Sequence, residues 1–183
     1  METKNEIRKV MKAKRREVDG KERETAALAL LDRLVETKDY QDAKSVYAFV
    51  SYNDEIDTFP IMRRVLEDKK RLFAPKIEAG VMSFYEIMNI DRDLSEGAFG
   101  ILEPNTGAMD ISHNGLMLMP GLAFDKEHNR VGYGKGFYDK YLSWPNSHIK
   151  IAIGYDFQVI DDVIPTREDD IKADYIITDK GVY

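Results

Sequence analysis

Five short apolar runs, each closed by polar or turn residues, restrict the chain more than any other feature. They are Val46-Tyr47-Ala48-Phe49-Val50, Leu72-Phe73-Ala74-Pro75, Leu116-Met117-Leu118-Met119-Pro120, residues 149–153 and Tyr175-Ile176-Ile177. Runs this short, apolar at nearly every position, predict strands buried on both faces, as in a sheet covered by helices. Between the first two runs, Ile61, Met62, Val65 and Leu66 fall at helical spacing, with Asp57 or Thr58 as N-cap and Pro60 in the first turn. Strand, helix, strand implies a parallel crossover. Residues 81–87 and 100–102 predict further short strands at one edge. Ahead of the first run, Ile7, Val10, Met11 and Val18 mark one amphipathic helix, and Ala27, Leu30, Leu31, Leu34 and Val35 a second, with Asp19-Gly20 between them. The fold class expected is α/β, a mostly parallel β-sheet sandwiched by helices in a Rossmann-like three-layer architecture, with ligands at the carboxyl ends of the strands.

With 183 residues the chain is expected to form a single domain over 1–183 with a core that needs no staples. It has no cysteine, which excludes disulfides, thiolate metal sites and a cysteine nucleophile. The balance of 27 Lys and Arg against 33 Asp and Glu, a net charge of −6, argues against nucleic-acid binding by the molecule as a whole. Any basic site must be local. Residues 1–10 are dense in charge, so export by a secretory signal is not expected. The longest apolar stretch, residues 115–124, is broken by Pro120 and Gly121 and falls short of the roughly 18 to 20 residues that span a bilayer. A cytoplasmic monomer without a membrane partner is the expectation.

The first helix carries Lys4, Arg8, Lys12 and Arg15 along one face. Such a stripe is either a solvated charged face or a polyanion site. The prolines at 75 and 120 are expected to end their strands, which directs attention to the segments after them. After Pro120 come Gly121-Leu122-Ala123-Phe124-Asp125 and then Arg130-Val131-Gly132-Tyr133-Gly134-Lys135-Gly136-Phe137-Tyr138-Asp139. Alternating glycines allow backbone N–H groups to converge on an anion, and a helix beginning near Gly136 would add its positive end. A Walker A loop needs Ser or Thr where Gly136 stands, and the dinucleotide fingerprint lacks its third glycine. A phosphate loop and a purely structural turn both remain open on these residues alone. His113, His128 and His148 are too scattered for a metal triad and are expected at the surface. Trp144-Pro145 is expected to stop the helix begun after Gly136.

Taken together, Lys4-x-x-x-Arg8, Asn53-Asp54-Glu55-Ile56-Asp57-Thr58, Pro75-Lys76, the 120–125 turn and the 130–139 segment resemble the 5-formyltetrahydrofolate cyclo-ligase family over nearly the whole chain. Val131 stands where the family usually has Leu, and Phe137 where it usually has Tyr, which removes a hydroxyl. The resemblance implies ATP- and Mg²⁺-dependent conversion of 5-formyltetrahydrofolate to 5,10-methenyltetrahydrofolate, with release of ADP and phosphate. By the same resemblance Lys4, Arg8 and residues 130–138 (Arg130, Val131, Gly132, Tyr133, Gly134, Lys135, Gly136, Phe137, Tyr138) bind ATP. Lys135 and Arg130 are the implied catalytic cations. Val50 and Glu55 are implied folate contacts, shared with Tyr133, Gly134, Lys135, Gly136 and Phe137, and Tyr52 is a further candidate. Asp139 and Asp170 are the implied Mg²⁺ carboxylates.

Two other classes compete. One is a phosphosugar isomerase or acyl-transfer enzyme on a similar scaffold, because fold alone does not fix chemistry. The other is a non-catalytic module that binds RNA or protein through the basic first helix. Conversion of the formyl folate discriminates the first, and a steep salt dependence of binding the second.

Overall fold

Side chains alternate across a strand, so each apolar run supplies two faces, and the computed structural model covers both of them. It describes residues 3–97, 100–105 and 107–183. Among these the chain forms α1 (Lys4–Glu17), α2 (Gly20–Glu36), α3 (Lys38–Asp42), β1 (Ser45–Tyr47), α4 (Phe59–Glu67), β2 (Arg71–Glu78) and β3 (Val81–Ile87). Then follow α5 (Ile90–Asp93), β4 (Leu94–Glu96), β5 (Leu102–Pro104), β6 (Leu116–Met119), β7 (Ala123–Asp125) and β8 (Arg130–Val131). The remainder is α6 (Phe137–Leu142), β9 (Ile149–Gly154), β10 (Val159–Ile160) and β11 (Tyr175–Thr178).

The central sheet runs β11-β9-β6-β1-β2-β3, parallel throughout except for the antiparallel β2–β3 hairpin. One face takes Val46, Leu72, Leu116, Leu118, Ile151 and Ile153 and packs on Leu30 and Leu34 of α2 and Ile61, Met62 and Val65 of α4. The other takes Tyr47, Phe73, Met117, Met119, Ala152 and Ile176 and packs on Phe84 and Leu142. This period-2 partition is why the runs read as continuously apolar. The expected mostly parallel, helix-covered sheet is therefore present.

The break between the first two helices is a cap. Asp19 accepts from the Glu22 amide while Glu22 reaches back to the Asp19 amide, so α2 restarts where α1 has just ended. Thr3 and Glu6 form the same box ahead of α1.

Several local expectations are corrected. The first run is a strand only to Tyr47, and residues 48–50 continue as irregular backbone, still buried. Pro75 does not end its strand, because β2 runs on to Glu78. Pro75 faces Phe84, whose carbonyl is turned away from β2 to accept from Asp110, so the side on which Pro75 lacks a donor is the side that β1 has already vacated. The strand expected at 100–102 lies at Leu102–Pro104 and pairs with β4. A small sheet, β10-β7-β8, was not visible as a pattern because its strands are two or three residues long. Ile7 and Met11 of α1 pack there with Leu122, Ala123, Val131 and Ile164. His148 is not at the surface: it is buried, edge-on to Tyr47 at a centroid distance of 4.5 Å. His113 and His128 are half-buried. No helix among the described residues is long and apolar enough to cross a membrane.

Both edges of the central sheet are covered by irregular backbone. Residues 108–110 pair with β3 through Glu86 N–H to Ala108 O and Asp110 N–H to Phe84 O. Residues 181–183 pair with β11 through Ile176 and Tyr183, which exchange both hydrogen bonds at 2.9 Å, and through Thr178 N–H to Gly181 O.

Candidate active site

The loops after β1 and β6, helix α1 and residues 165–171 enclose one cleft of about 1700 Å³ at the carboxyl ends of the parallel strands. A site for one small molecule is usually about 300–1000 Å³. The cleft has room for two ligands.

The loop after β1 is held by a reciprocal pair: Ser51 N–H donates to Thr58 Oγ1 at 3.0 Å and Thr58 N–H to Ser51 Oγ at 3.1 Å. The Thr58 hydroxyl also donates to Phe49 O at 2.7 Å. Thr58 is thus fully buried as a loop anchor, and the Phe59 amide at the start of α4 is capped instead by Asp57 at 2.9 Å. This fixes Val50 in the cleft wall and brings Glu55 to the mouth, where Tyr52 N–H donates to Glu55 Oε2 at 2.9 Å. Burial raises the Glu55 carboxyl above the usual carboxylate range, and the hydrogen bond from Tyr133 and the Arg15 charge pull in the opposite direction.

On the other side, Asp125 organises the approach to the glycine loop. Its buried carboxylate accepts from the amides of Glu127, Asn129 and Ile164 and from the Asn129 side chain, at 2.8–3.0 Å. Gln158 likewise caps the carbonyls of Gly121 and Leu122 at 2.9 and 3.0 Å. Beyond these anchors, Gly134 and Gly136 take φ of +97° and +66°, which carry the chain into α6. The helix expected after Gly136 is there, although it lasts only six residues and ends at Leu142 before Trp144-Pro145.

Every residue implied to bind ATP, folate or Mg²⁺ lines the cleft except Val131, whose side chain lies fully buried under α1. The cations and carboxylates are paired with one another. Arg130 donates to Asp139 Oδ1 at 2.7 Å, and the Ile171 amide donates to the same oxygen at 3.1 Å. Lys4 pairs with Asp170, whose carboxyl is held low because Lys4 and the Arg167 amide outweigh its burial. Arg8 donates to Gly132 O at 2.8 Å and Asn5 Oδ1 at 2.6 Å. The Lys135 side chain, in contrast, is exposed and has no hydrogen-bond or ion-pair partner among the described residues. Two buried groups also lack a partner there, Arg130 Nε and the Tyr138 hydroxyl.

The basic stripe on α1 turns toward the cleft, with Lys12 exposed, Lys4 and Arg8 half-buried and Arg15 buried. Arg15, only 3% exposed, donates to the Tyr133 hydroxyl at 2.7 Å and pairs with Asp54, while Lys12 lies 5.9 Å from the Tyr133 ring centroid. In the sequence Arg15 stands out only as part of the stripe, and Asp125, Gln158 and residues 165–169 do not stand out as site residues. Asp125 stood in the quoted motif, whereas Gln158 has no local signal because its partners lie 36 and 37 positions away.

The cleft thus holds a free ammonium at Lys135 and a guanidinium with an unpartnered Nε at Arg130, together with the Glu55 carboxylate. A cleft of this size lined by cations and carboxylates, at the carboxyl ends of a parallel sheet, is the architecture of an α/β enzyme. The chain belongs to the 5-formyltetrahydrofolate cyclo-ligase family, which it matches over residues 1–179, and it is an enzyme of that ligase family. It is 29% identical to the probable 5-formyltetrahydrofolate cyclo-ligase of Caenorhabditis elegans, over 96% of this chain and 92% of the relative. Identity to the 5-formyltetrahydrofolate cyclo-ligase of Mus musculus is 28%, over 93% and 91%. The solved structure of Aquifex aeolicus 5,10-methenyltetrahydrofolate synthetase matches with a TM-score of 0.86 at 32% identity, covering 98% of this chain and 91% of that one. A Mycoplasma pneumoniae 5,10-methenyltetrahydrofolate synthetase shares the fold, with a TM-score of 0.75 at 22% identity over 96% and 98% of the two chains.

Proposed function

We propose that the whole chain acts as one cytoplasmic, monomeric domain that cyclises 5-formyltetrahydrofolate to 5,10-methenyltetrahydrofolate at the expense of ATP, releasing ADP and phosphate. Family membership supports the reaction. The observation that carries the assignment of residues is the convergence of Lys135, Arg130 and Glu55 on one cleft of two-ligand size.

The N5-formyl group is amide-like, and its oxygen leaves poorly. Attack of that oxygen on the γ-phosphorus, with departure of ADP, converts it to a phosphate ester. N10 then bonds to the activated carbon, loses its proton, and the C–O bond breaks with phosphate taking the electron pair. The N10 attack is intramolecular, so the substrate supplies much of the proximity itself. What remains for the protein is positioning and charge neutralisation.

Lys135, exposed on a loop between two glycines of positive φ, follows the transferring phosphoryl group. Arg130, held against Asp139, offers its unpartnered Nε to a second phosphate oxygen. Lys4 and Arg8 reach the nucleotide from α1, together with the backbone of residues 131–136 and the side chains of Phe137 and Tyr138. Glu55 accepts paired N–H donors from the pterin edge, and Val50, Tyr52, Tyr133 and Phe137 wall the ring.

The donor set fits Mg²⁺. Asp139 and Asp170 each keep one carboxylate oxygen outside the protein's hydrogen bonds, and Mg²⁺ prefers one or two carboxylates completed by phosphate oxygens and water. Among the described residues no group of three or more His, Asp or Glu gathers around a single point, so an all-protein cage is not the arrangement. When bound, the ion would neutralise charge on the phosphate oxygens.

Incubation with ATP, Mg²⁺ and 5-formyltetrahydrofolate is expected to produce the near-ultraviolet absorbance of the methenyl product. Folded protein that gives no such signal would reject the assignment. The engagement of Lys4, Arg8 and Arg15 with Asp170, Gly132, Tyr133 and Asp54 disfavours the reading of α1 as a nucleic-acid face.

A further inference from the structure

Arg15 is the most buried cation of the chain, and the reaction as described above gives it no task. It sits two turns beyond Arg8 on α1, is 3% exposed, and spans the cleft between the glycine loop and the loop after β1. One terminal nitrogen donates to the Tyr133 hydroxyl at 2.7 Å, and the other pairs with Asp54. The Tyr133 hydroxyl, having accepted from Arg15, donates in turn to Glu55 Oε1. Since a phenol has a single proton to give, the arginine fixes its direction: only the carboxylate can receive it. Glu55 Oε2 is held from the other side by the Tyr52 amide.

We propose that Arg15 is a positioning residue for the folate subsite, acting through Tyr133 to hold Glu55 ionised and oriented toward the pterin edge. The inference rests on the assignment of Glu55 to the folate made above.

The relay matters because Glu55 lies in surroundings that disfavour its charge. The titratable and charged groups facing it are Arg15 on α1, Asp54 in its own loop, Tyr133 in the glycine loop and Tyr138 on α6. Tyr155, after β9, holds the Glu55 carbonyl at 3.4 Å, and Arg23 of α2 holds the backbone at Asn53. The carboxylate is favoured by the Tyr133 hydroxyl that Arg15 orients, by the Tyr52 amide and by the Arg15 charge, against its burial and the charge of Asp54. A protonated Glu55 would present a donor where the pterin edge also presents donors.

Two measurements test this, with Arg15→Met, Arg15→Lys and Tyr133→Phe. The first is a ¹³C NMR titration of the Glu55 carboxyl in the protein without ligands. Arg15→Met and Tyr133→Phe are each expected to raise its titration midpoint, by about one pH unit, the lower end of what one nearby opposite charge or hydrogen bond gives. Arg15→Lys keeps the charge but replaces the two separate terminal nitrogens that meet Tyr133 and Asp54 with one, and is expected to lie between. The second is the pH profile of kcat/KM for the folate, whose acidic limb is expected to move upward with the NMR midpoint. Below the limb, one unit corresponds to about a tenfold loss at fixed pH. KM for ATP is expected to stay within about twofold in all three, an outcome that mere loosening of α1, which also carries Lys4 and Arg8, would not give. An unmoved Glu55 midpoint in folded Arg15→Met and Tyr133→Phe overturns the inference. A wild-type protein that produces no methenyl compound overturns the functional reading instead, whatever the titration gives.

Discussion

Replacing Asp125 with asparagine changes one oxygen to an NH₂ group and leaves the side-chain shape intact. Its Oδ1 accepts from the Glu127 and Asn129 amides at 3.0 and 2.9 Å, and its Oδ2 from Asn129 Nδ2 and Ile164 N–H, both at 2.8 Å. The amide oxygen of asparagine can keep one of these pairs. The new NH₂ then faces the other pair, donor against donor, in a site that is 1% exposed. Each hydrogen bond to a charged group contributes about 1.5–3 kcal/mol, so losing two costs about 3–6 kcal/mol. For a chain of this size that lowers Tm by about 10 °C or more. Urea denaturation is the assay, and a shift of the midpoint at constant slope is the expected form. Because the two pairs tie residues 127–129 and 164 to the end of β7, KM for ATP is also expected to rise at temperatures where the variant is folded. A loss below about 1 kcal/mol, less than a single charge-assisted bond supplies, would show that Asp125 does not hold these segments together.

Lys135→Ala leaves no group unpaired, so stability is expected to change by less than about 0.5 kcal/mol. Its kcat for methenyl formation is expected to fall about 10²–10³-fold, the scale of losing one transition-state donor; near-normal turnover would move the role to another cation. Glu55→Gln is expected to raise KM for the folate and leave KM for ATP unchanged, which paired steady-state titrations would check. Gly134→Ala forces a β-carbon onto a backbone at φ +97° and is expected to cost about 1–3 kcal/mol by denaturation, with weakened ATP binding. Burial pushes His148 down to about 4 from an ordinary value near 6.5. The unfolded chain takes up its proton first, so this contribution to stability is complete above about pH 6.5 and is lost as pH falls toward about 4, by up to roughly 3 kcal/mol. Urea midpoints of the wild type and of His148→Gln between pH 7 and 4.5 should diverge accordingly, and parallel curves would contradict it.

The layers and the position of the cleft were legible because the central strands are buried on both faces, a condition that writes itself into consecutive apolar residues. Pro75 misled because whether a proline ends a strand depends on which neighbour remains on its donor-free side, and that is settled by the length of β1. The β10-β7-β8 sheet left no periodic trace, since two or three residues do not complete a pattern. For the site, glycine spacing and motif resemblance led to the right segments. They could not show that Arg130 pairs with Asp139 or Lys4 with Asp170, because these contacts span 9 and 166 positions. Arg15 looked like one charge among several on a wet helix face. Its burial depends on Tyr133, 118 residues later.

The irregular segments along the outermost strands also bear on how copies of this chain behave toward one another. A sheet whose terminal strands offer open amides and carbonyls invites docking of a foreign strand, and with it fibre growth or exchange of elements. Here those positions are taken by residues 108–110 on one flank and 181–183 on the other. Recruitment of a second molecule by strand addition would first require peeling one of these segments away, so crowding alone does not drive the central sheet to extend.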